Sequence, residues 1–276
     1  GDFAAGNFKF GGTDFTDSLL VGHSTTGTLS AAIQNTGVGI LALDALTSGD
    51  SNTALGRSAA SGVTGGAYNT AVGAYAADVV TTSDYNTAVG GSALGATTGA
   101  SNTGIGYGAG WRNVTGTFNV SLGAEALEGV SGNSHSYNTA IGAKASEVIT
   151  TGDYNITLGY TAGDNITTGS GNVVIGKADV SSATGDDQLS ISDGEDGSVV
   201  WMTGDSSANI TFAAEVAAAT LDISGAIDID GTANLDTVDI DGAVQIDATF
   251  TSGVDGQGYD TKFFGDTSSA YIMWDT

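Results

Sequence analysis

The sequence predicts an all-β solenoid, on three observations. A five-residue block, Asn–(Thr/Val/Ile)–small–aliphatic–Gly, recurs nine times. The blocks open at Asn35, Asn52, Asn69, Asn86, Asn102, Asn119, Asn138, Asn155 and Asn172, in steps of 17, 17, 17, 16, 17, 19, 17 and 17 residues. A period this short marks an architecture in which each repeat is one turn of a coil. The chain also lacks proline, which fits backbone committed to strand ladders. Finally, two positions of the block never lapse: the fourth is always a large aliphatic and the fifth always glycine.

Each position of the coil has a physical role. Seventeen residues hold two short strands and two turns at a rise of about 3.3 Å per residue. Ten such coils, stacked at the strand spacing of about 4.8 Å, make a rod of about 48 Å. Val38, Leu55, Val72, Val89, Ile105, Leu122, Ile141, Leu158 and Ile175 hold the fourth position, and their constancy points them inward. The small third residue (Gly37, Ala54, Ala71, Ala88, Gly104, Ser121, Ala140, Thr157, Val174) then faces outward, because strand side chains alternate. The invariant glycine suits a corner with positive φ or a close backbone approach. The asparagine tolerates the left-handed region, and stacked asparagines can bond one another in a ladder. Three residues past each glycine comes alanine, from Ala42 to Ala162, followed by polar turns such as Thr150-Thr151-Gly152. A degenerate copy, Ser18-Leu19-Leu20-Val21-Gly22, precedes the first full block by one period.

These signals divide the chain into an N-terminal cap (1–17), a roll of about ten coils (18–180) and an acidic β-rich shaft (181–276). Phe3, Phe8, Phe10 and Phe15 give the cap apolar material to cover the first coil. The shaft alternates apolar and polar residues, as in Ile227-Asp228-Ile229-Asp230-Gly231 and Val238-Asp239-Ile240-Asp241-Gly242. It carries no heptad, so it is not a coiled-coil stalk. Gly197–Met202 and Ser269–Trp274 read as weak copies of one another, and Phe212–Thr220 could form a turn or two of helix. The chain opens on glycine and stops mid-pattern at Thr276, as part of a longer polypeptide would. So thin a core leaves an isolated rod short of apolar burial, and small outward residues let another backbone approach. The sequence therefore predicts an obligate homo-oligomer, with three-fold packing the simplest closed arrangement.

The pentads Asn69-Thr70-Ala71-Val72-Gly73 and Asn138-Thr139-Ala140-Ile141-Gly142, with the alanine and Thr-Gly turn that follow, resemble the head repeats of trimeric autotransporter adhesins. Similar repeats occur in tail-fibre and other virion structural proteins of phages. The resemblance covers about 160 of the 276 residues. It implies a left-handed parallel β-roll in a homotrimer. It implies a virion or other extracellular location, and as partners other virion proteins and a host cell-surface receptor, with a glycan among the receptor chemistries. The period of 17 residues is longer than the shortest head repeats.

Composition narrows the function classes. With six Lys plus Arg and a net charge of −25, phosphate-backbone binding has too few cations to work with, and anionic membranes repel the chain. No run of 18 apolar residues offers a membrane span. Zero cysteines exclude disulfides and thiol chemistry. His23 and His135 stand without a serine elbow, and acidic residues are sparse in the coils, so the sequence predicts no enzyme and no cofactor. Asp228, Asp230, Asp239 and Asp241 pair carboxylates on one strand face, a candidate for Ca²⁺ set against a plain solvated acidic surface. Tyr68, Tyr85, Phe118, Tyr137 and Tyr154 each precede a block asparagine. They form a packing ladder or, alternatively, a carbohydrate platform. Trp111 and Arg112 break the repeat where neighbouring coils have Leu94 or Ala77, and the longest coil inserts residues at Asn133 and His135. Those four residues are the candidate receptor contact. The favoured function is a virion fibre serving host attachment. The alternatives are a bacterial surface adhesin head, an ice-binding solenoid with a threonine column, and a glycan depolymerase.

Overall fold

The computed structural model describes residues 8–11, 13–22, 29–132 and 134–214, and beyond them 216, 223, 244–246, 261–264 and 271–274. The chain forms two units, residues 1–217 and 218–276. The first is a parallel β-solenoid of about ten turns, and the described residues contain no helix. Phe212 to Ala214, where a helical turn was an option, are strand end and bend.

Each coil contributes one three-residue strand. After β1 (Phe8–Phe10) and β2 (Leu19–Val21), the block strands run from β3 (Thr36–Val38) through β4 (Thr53–Leu55), β5 (Thr70–Val72), β6 (Thr87–Val89), β7 (Thr103–Ile105), β8 (Val120–Leu122), β9 (Thr139–Ile141) and β10 (Ile156–Leu158) to β11 (Val173–Ile175). All pair in parallel at equivalent positions, so that Thr53 faces Thr36 and Leu55 faces Val38. The 16- and 19-residue steps leave this register intact, with Ala88 opposite Gly104 and Ser121 opposite Ala140. Among the described residues of the coils the expected second strand does not form. In its place runs a chain of tight turns bonded both within the coil (Ala42 N–H to Gly39 O, 3.2 Å) and between coils (Leu43 N–H to Ala59 O, 3.1 Å). Residues two and four past the glycine take positive φ, as Leu41 (62°) and Leu43 (56°) do, and this left-handed alternation keeps the wall from extending.

The parallel ladder runs on to β12 (Leu189–Ser192). Both ends then turn antiparallel: β1 pairs with β2, and β12 is followed by β13 (Val200–Gly204) and β14 (Ile210–Phe212). These strands occupy edges that would otherwise template further pairing. Phe15, from the expected cap, is buried. In the second unit β15 (Thr261–Phe264) and β16 (Tyr271–Trp274) form an antiparallel hairpin.

The inward and outward faces are the reverse of the expectation. The middle residue of each strand is buried and its neighbours are open, so the small third position faces the interior. The aliphatic fourth position faces out: Leu55 is 50% exposed and Leu158 45%. Interior volume explains the reversal. The wall opposite the strands already supplies Ala42, Leu43 and Leu46 to one coil and Ala59, Ala60 and Val63 to the next, all buried. Little room remains across from them. A Cβ on Gly37 would lie 2.4 Å from Leu20 Cδ2 and 3.3 Å from Leu43 Cδ1. Large and small residues trade places along the rod: Leu94 lies beside Gly104 and Gly110, and Gly163 beside Thr157 and Val174.

Candidate functional site

The best-defined constellation is the asparagine ladder. Every block asparagine is buried. The backbone N–H of each donates to the Oδ1 of the asparagine one coil earlier, for example Asn52 to Asn35 (2.9 Å), Asn119 to Asn102 (3.1 Å) and Asn172 to Asn155 (3.0 Å). The amide Nδ2 commonly donates to the same oxygen and to a turn carbonyl; Asn155 Nδ2 reaches Asn138 Oδ1 and Gly169 O, both at 3.0 Å. A carboxamide is needed, since one group must accept along the stack and donate across it. Ser18 Oγ begins the ladder under Asn35, and Gln188 ends it on Asn172 Oδ1. The left-handed conformation expected of the asparagines belongs to the residue before each, as at Tyr68 (59°), Ser101 (61°) and Phe118 (58°).

The invariant glycine sits one residue past the strand. At Gly73, φ is +135° and an added Cβ would lie 2.5 Å from Gly90 O in the next coil. Backbone against backbone at this distance leaves no side chain admissible. A second ladder went unread in the sequence. Thr47, Thr64, Thr150 and Thr167 each donate Oγ1–H to a carbonyl one coil on, at 2.9–3.2 Å. Its trace was the repeated Thr-Thr-Gly turn.

Of the described contact candidates, Trp111 and Arg112 are half-buried at the surface and His135 is buried. Trp111 lies at the level of Gly95, whose added Cβ would meet Trp111 Cδ1 at 3.1 Å, while Gly110 takes the place of Leu94. This corrects the expected alignment by one residue. Arg112 stacks over the Trp111 ring at 4.8 Å and pairs with Glu128 at 2.8 Å. His135 is interior, 2% exposed, with Nδ1 3.3 Å from Asn138 Nδ2. Its peptide carbonyl accepts from Asn113 and Asn119, both at 2.9 Å. Burial lowers its pKa to about 4, and Nε2 has no hydrogen-bond partner. Asn133 lies outside the described residues, as do Asp228, Asp230, Asp239 and Asp241, the Ca²⁺ candidates.

Around Arg112 the surface is a charge network. Glu125, Glu128 and Glu147 bring one carboxylate oxygen each within 4.8 Å of the others. Lys144 bridges Glu125 (3.2 Å) and Glu147 (2.9 Å), which raises its pKa. Glu128 is raised mainly by burial, against the pull of Arg112. Two cations inside three carboxylates make this a salt-bridge cluster. Farther along, Asp193 accepts four backbone N–H groups, from Glu195, Asp196, Gly197 and Val199, at 2.7–3.2 Å. They hold its pKa at about 2 and close the turn between β12 and β13. An apolar groove lined by Val199, Trp201 and Phe212 follows.

No family model, curated protein or solved structure matches the chain. Among the described residues no helix is long and apolar enough to cross a membrane.

Proposed function

We propose that the chain is a structural fibre protein in which three copies of a left-handed roll join through their strand faces, serving host attachment on a virion. The observation that carries the assembly is the outward fourth column. Val38, Leu55, Ile105, Leu122, Ile141, Leu158 and Ile175 are all at least 36% exposed, and the half-buried Val72 and Val89 complete the column on the two rungs between Leu55 and Ile105. Contiguous exposed apolar surface of this extent marks an interaction site. The face repeats with the strand spacing, so the surface that matches it rung for rung is another copy of the same solenoid. This moves the expected interface from the small third column, which is interior, to the second and fourth columns. The left hand, the three-fold number and the virion setting rest on the resemblance of the pentads to adhesin heads and phage fibres.

Attachment follows from mechanics. A rod stiffened by continuous hydrogen-bonded ladders presents several identical surfaces at once, which converts weak contacts into avidity.

The chain has no cysteine, so single introduced cysteines report the interface cleanly. Leu122→Cys is expected to cross-link copies under mild oxidation, while Thr82→Cys, on the exposed turn side, stays monomeric on denaturing gels. Cross-linking at Thr82→Cys with none at Leu122→Cys would place the interface elsewhere.

A further inference from the structure

The aromatic residues that precede the asparagines stack along one corner. Tyr68 and Tyr85 lie 5.3 Å apart with planes 9° from parallel, and Phe118, Tyr137 and Tyr154 follow at 5.3 Å and 4.8 Å, within 7°. All five have φ between 58° and 61°, a conformation bulky residues rarely adopt. They are also largely open to solvent, Tyr85 62% and Phe118 55%. The conformation belongs to the coil, since Gln34 (58°), Ser51 (57°) and Ser101 (61°) share it, so what calls for a partner is the exposed row of ring faces.

The stack is interrupted once, at Ser101, between Tyr85 and Phe118. Ser101 has the same backbone conformation as both (φ 61° against 61° and 58°). Its N–H donates to Asp84 O at 3.0 Å, as that of Phe118 does to Ala100 O at 3.3 Å. The three Cα–Cβ bonds therefore project alike, and two ring faces look at each other across one missing ring. Two strand spacings put those faces roughly 10 Å apart. Carbon–carbon contacts of about 3.5–4.0 Å on both sides take up roughly 7–8 Å. A chair's pucker fills only part of the remainder, so the two exposed rings lean inward by roughly 1 Å each on binding, less than a flat guest would require.

We propose that this slot binds one pyranose ring of a neutral glycan in the β-gluco configuration, clamped between Tyr85 and Phe118 over the Ser101 hydroxyl. The configuration follows from the clamp. With every substituent equatorial, axial C–H bonds cover both faces of the ring, so both can stack on an aromatic wall. An axial hydroxyl, at C2 in mannose or C4 in galactose, spoils one face. A chain of net charge −25 disfavours anionic sugars. The binding step is non-covalent and requires no cofactor. The inference takes its biological meaning from the attachment reading above and its chemistry from the slot.

The test is titration of the whole chain with cellotetraose and mannotetraose, by calorimetry and by saturation-transfer NMR. Cellotetraose is expected to bind with saturation reaching axial protons on both faces of one residue, and mannotetraose about tenfold or more weaker. Ser101→Tyr completes the aromatic stack and Phe118→Ala removes a wall; each should weaken cellotetraose binding about tenfold or more. Ser51→Tyr lengthens the stack away from the gap and should leave binding unchanged. Absence of cellotetraose binding, equal binding of both sugars, or full binding by a folded Ser101→Tyr protein overturns the proposal. Light scattering on the same samples separates the two readings. Slot binding by a monomer would remove the trimer alone, and a trimer that ignores cellotetraose would remove the slot alone.

Discussion

Asn155→Ala is the sharpest perturbation of the ladder. Asn155 Oδ1 accepts from Asn172 N and Asn172 Nδ2, both at 3.0 Å, while its own Nδ2 donates to Asn138 Oδ1 and Gly169 O, also at 3.0 Å. Alanine leaves the fully buried Asn172 N–H without an acceptor, at about 1–3 kcal/mol. Asn138 Oδ1 keeps the Asn155 backbone N–H (2.8 Å) and Asn172 Nδ2 keeps Gly185 O (3.1 Å), so those losses stay near 0.5–1.5 kcal/mol each. Gly169 O loses its donor as well. With Gly169 O counted at the same 0.5–1.5 kcal/mol, the sum is roughly 2.5–7.5 kcal/mol, with about 5 kcal/mol as the expected value. The assay is urea unfolding of the variant beside Thr82→Ala, whose side chain is exposed on the turn side and should change stability by about 0.5 kcal/mol or less. Repeat arrays can lose cooperativity, so coincidence of far-UV circular dichroism and tyrosine fluorescence is checked first. A loss below about 1 kcal/mol, or equal losses in the two variants, would refute the idea that the asparagine stack holds the coils.

Other positions give independent predictions. Gly73→Ala forces a Cβ against Gly90 O at φ +135° and should cost about 3 kcal/mol or more, read by the same unfolding. Ala71→Leu overfills the interior and should destabilise by at least about 1–3 kcal/mol, whereas Leu55→Lys should leave the circular dichroism of the coils unchanged and reduce the mass seen by light scattering. His135 has a folded pKa of about 4 against an ordinary 6.5, so the unfolded chain takes up the proton first as pH falls. Stability should be flat above about pH 6.5 and fall by roughly 3 kcal/mol toward pH 4. His135→Leu should remove that slope from a pH series of unfolding free energies. Asp193 stabilises its turn above the ordinary carboxylate pKa and loses that effect toward pH 2, so Asp193→Ala should speed amide exchange at Glu195, Asp196, Gly197 and Val199.

The register of the coils was legible in the sequence because the asparagine and glycine columns recur in all nine blocks. The asparagine oxygen and the glycine backbone each meet their own copy one coil away, and no other residue satisfies both neighbours. Which strand face was interior was harder to see. Alternation separates Ala71 from Val72 but does not say which one is inside. The answer lay across the coil, where Leu43, Leu46, Val63 and Val80 already fill the interior. The pairing of Gly37 with Leu43, and of Gly104 and Gly110 with Leu94, carried that information as a trade in volume rather than as a period. The turn wall was read as a second strand because its left-handed alternation is built from ordinary residues such as Leu41, Ser58 and Tyr75. For His135, the 19-residue step announced an insertion. Its burial depended on Asn113, which replaces an aliphatic in the interior column and offers the polar partners the histidine backbone uses.

Light scattering of the intact chain at micromolar concentration addresses the central claim most directly, because the outward aliphatic column has no other cover among the described residues. Three times the chain mass of 27.2 kDa, retained on dilution and lost in Leu55→Lys, is the predicted outcome. A stable 27.2 kDa species with those aliphatic side chains in water would contradict it.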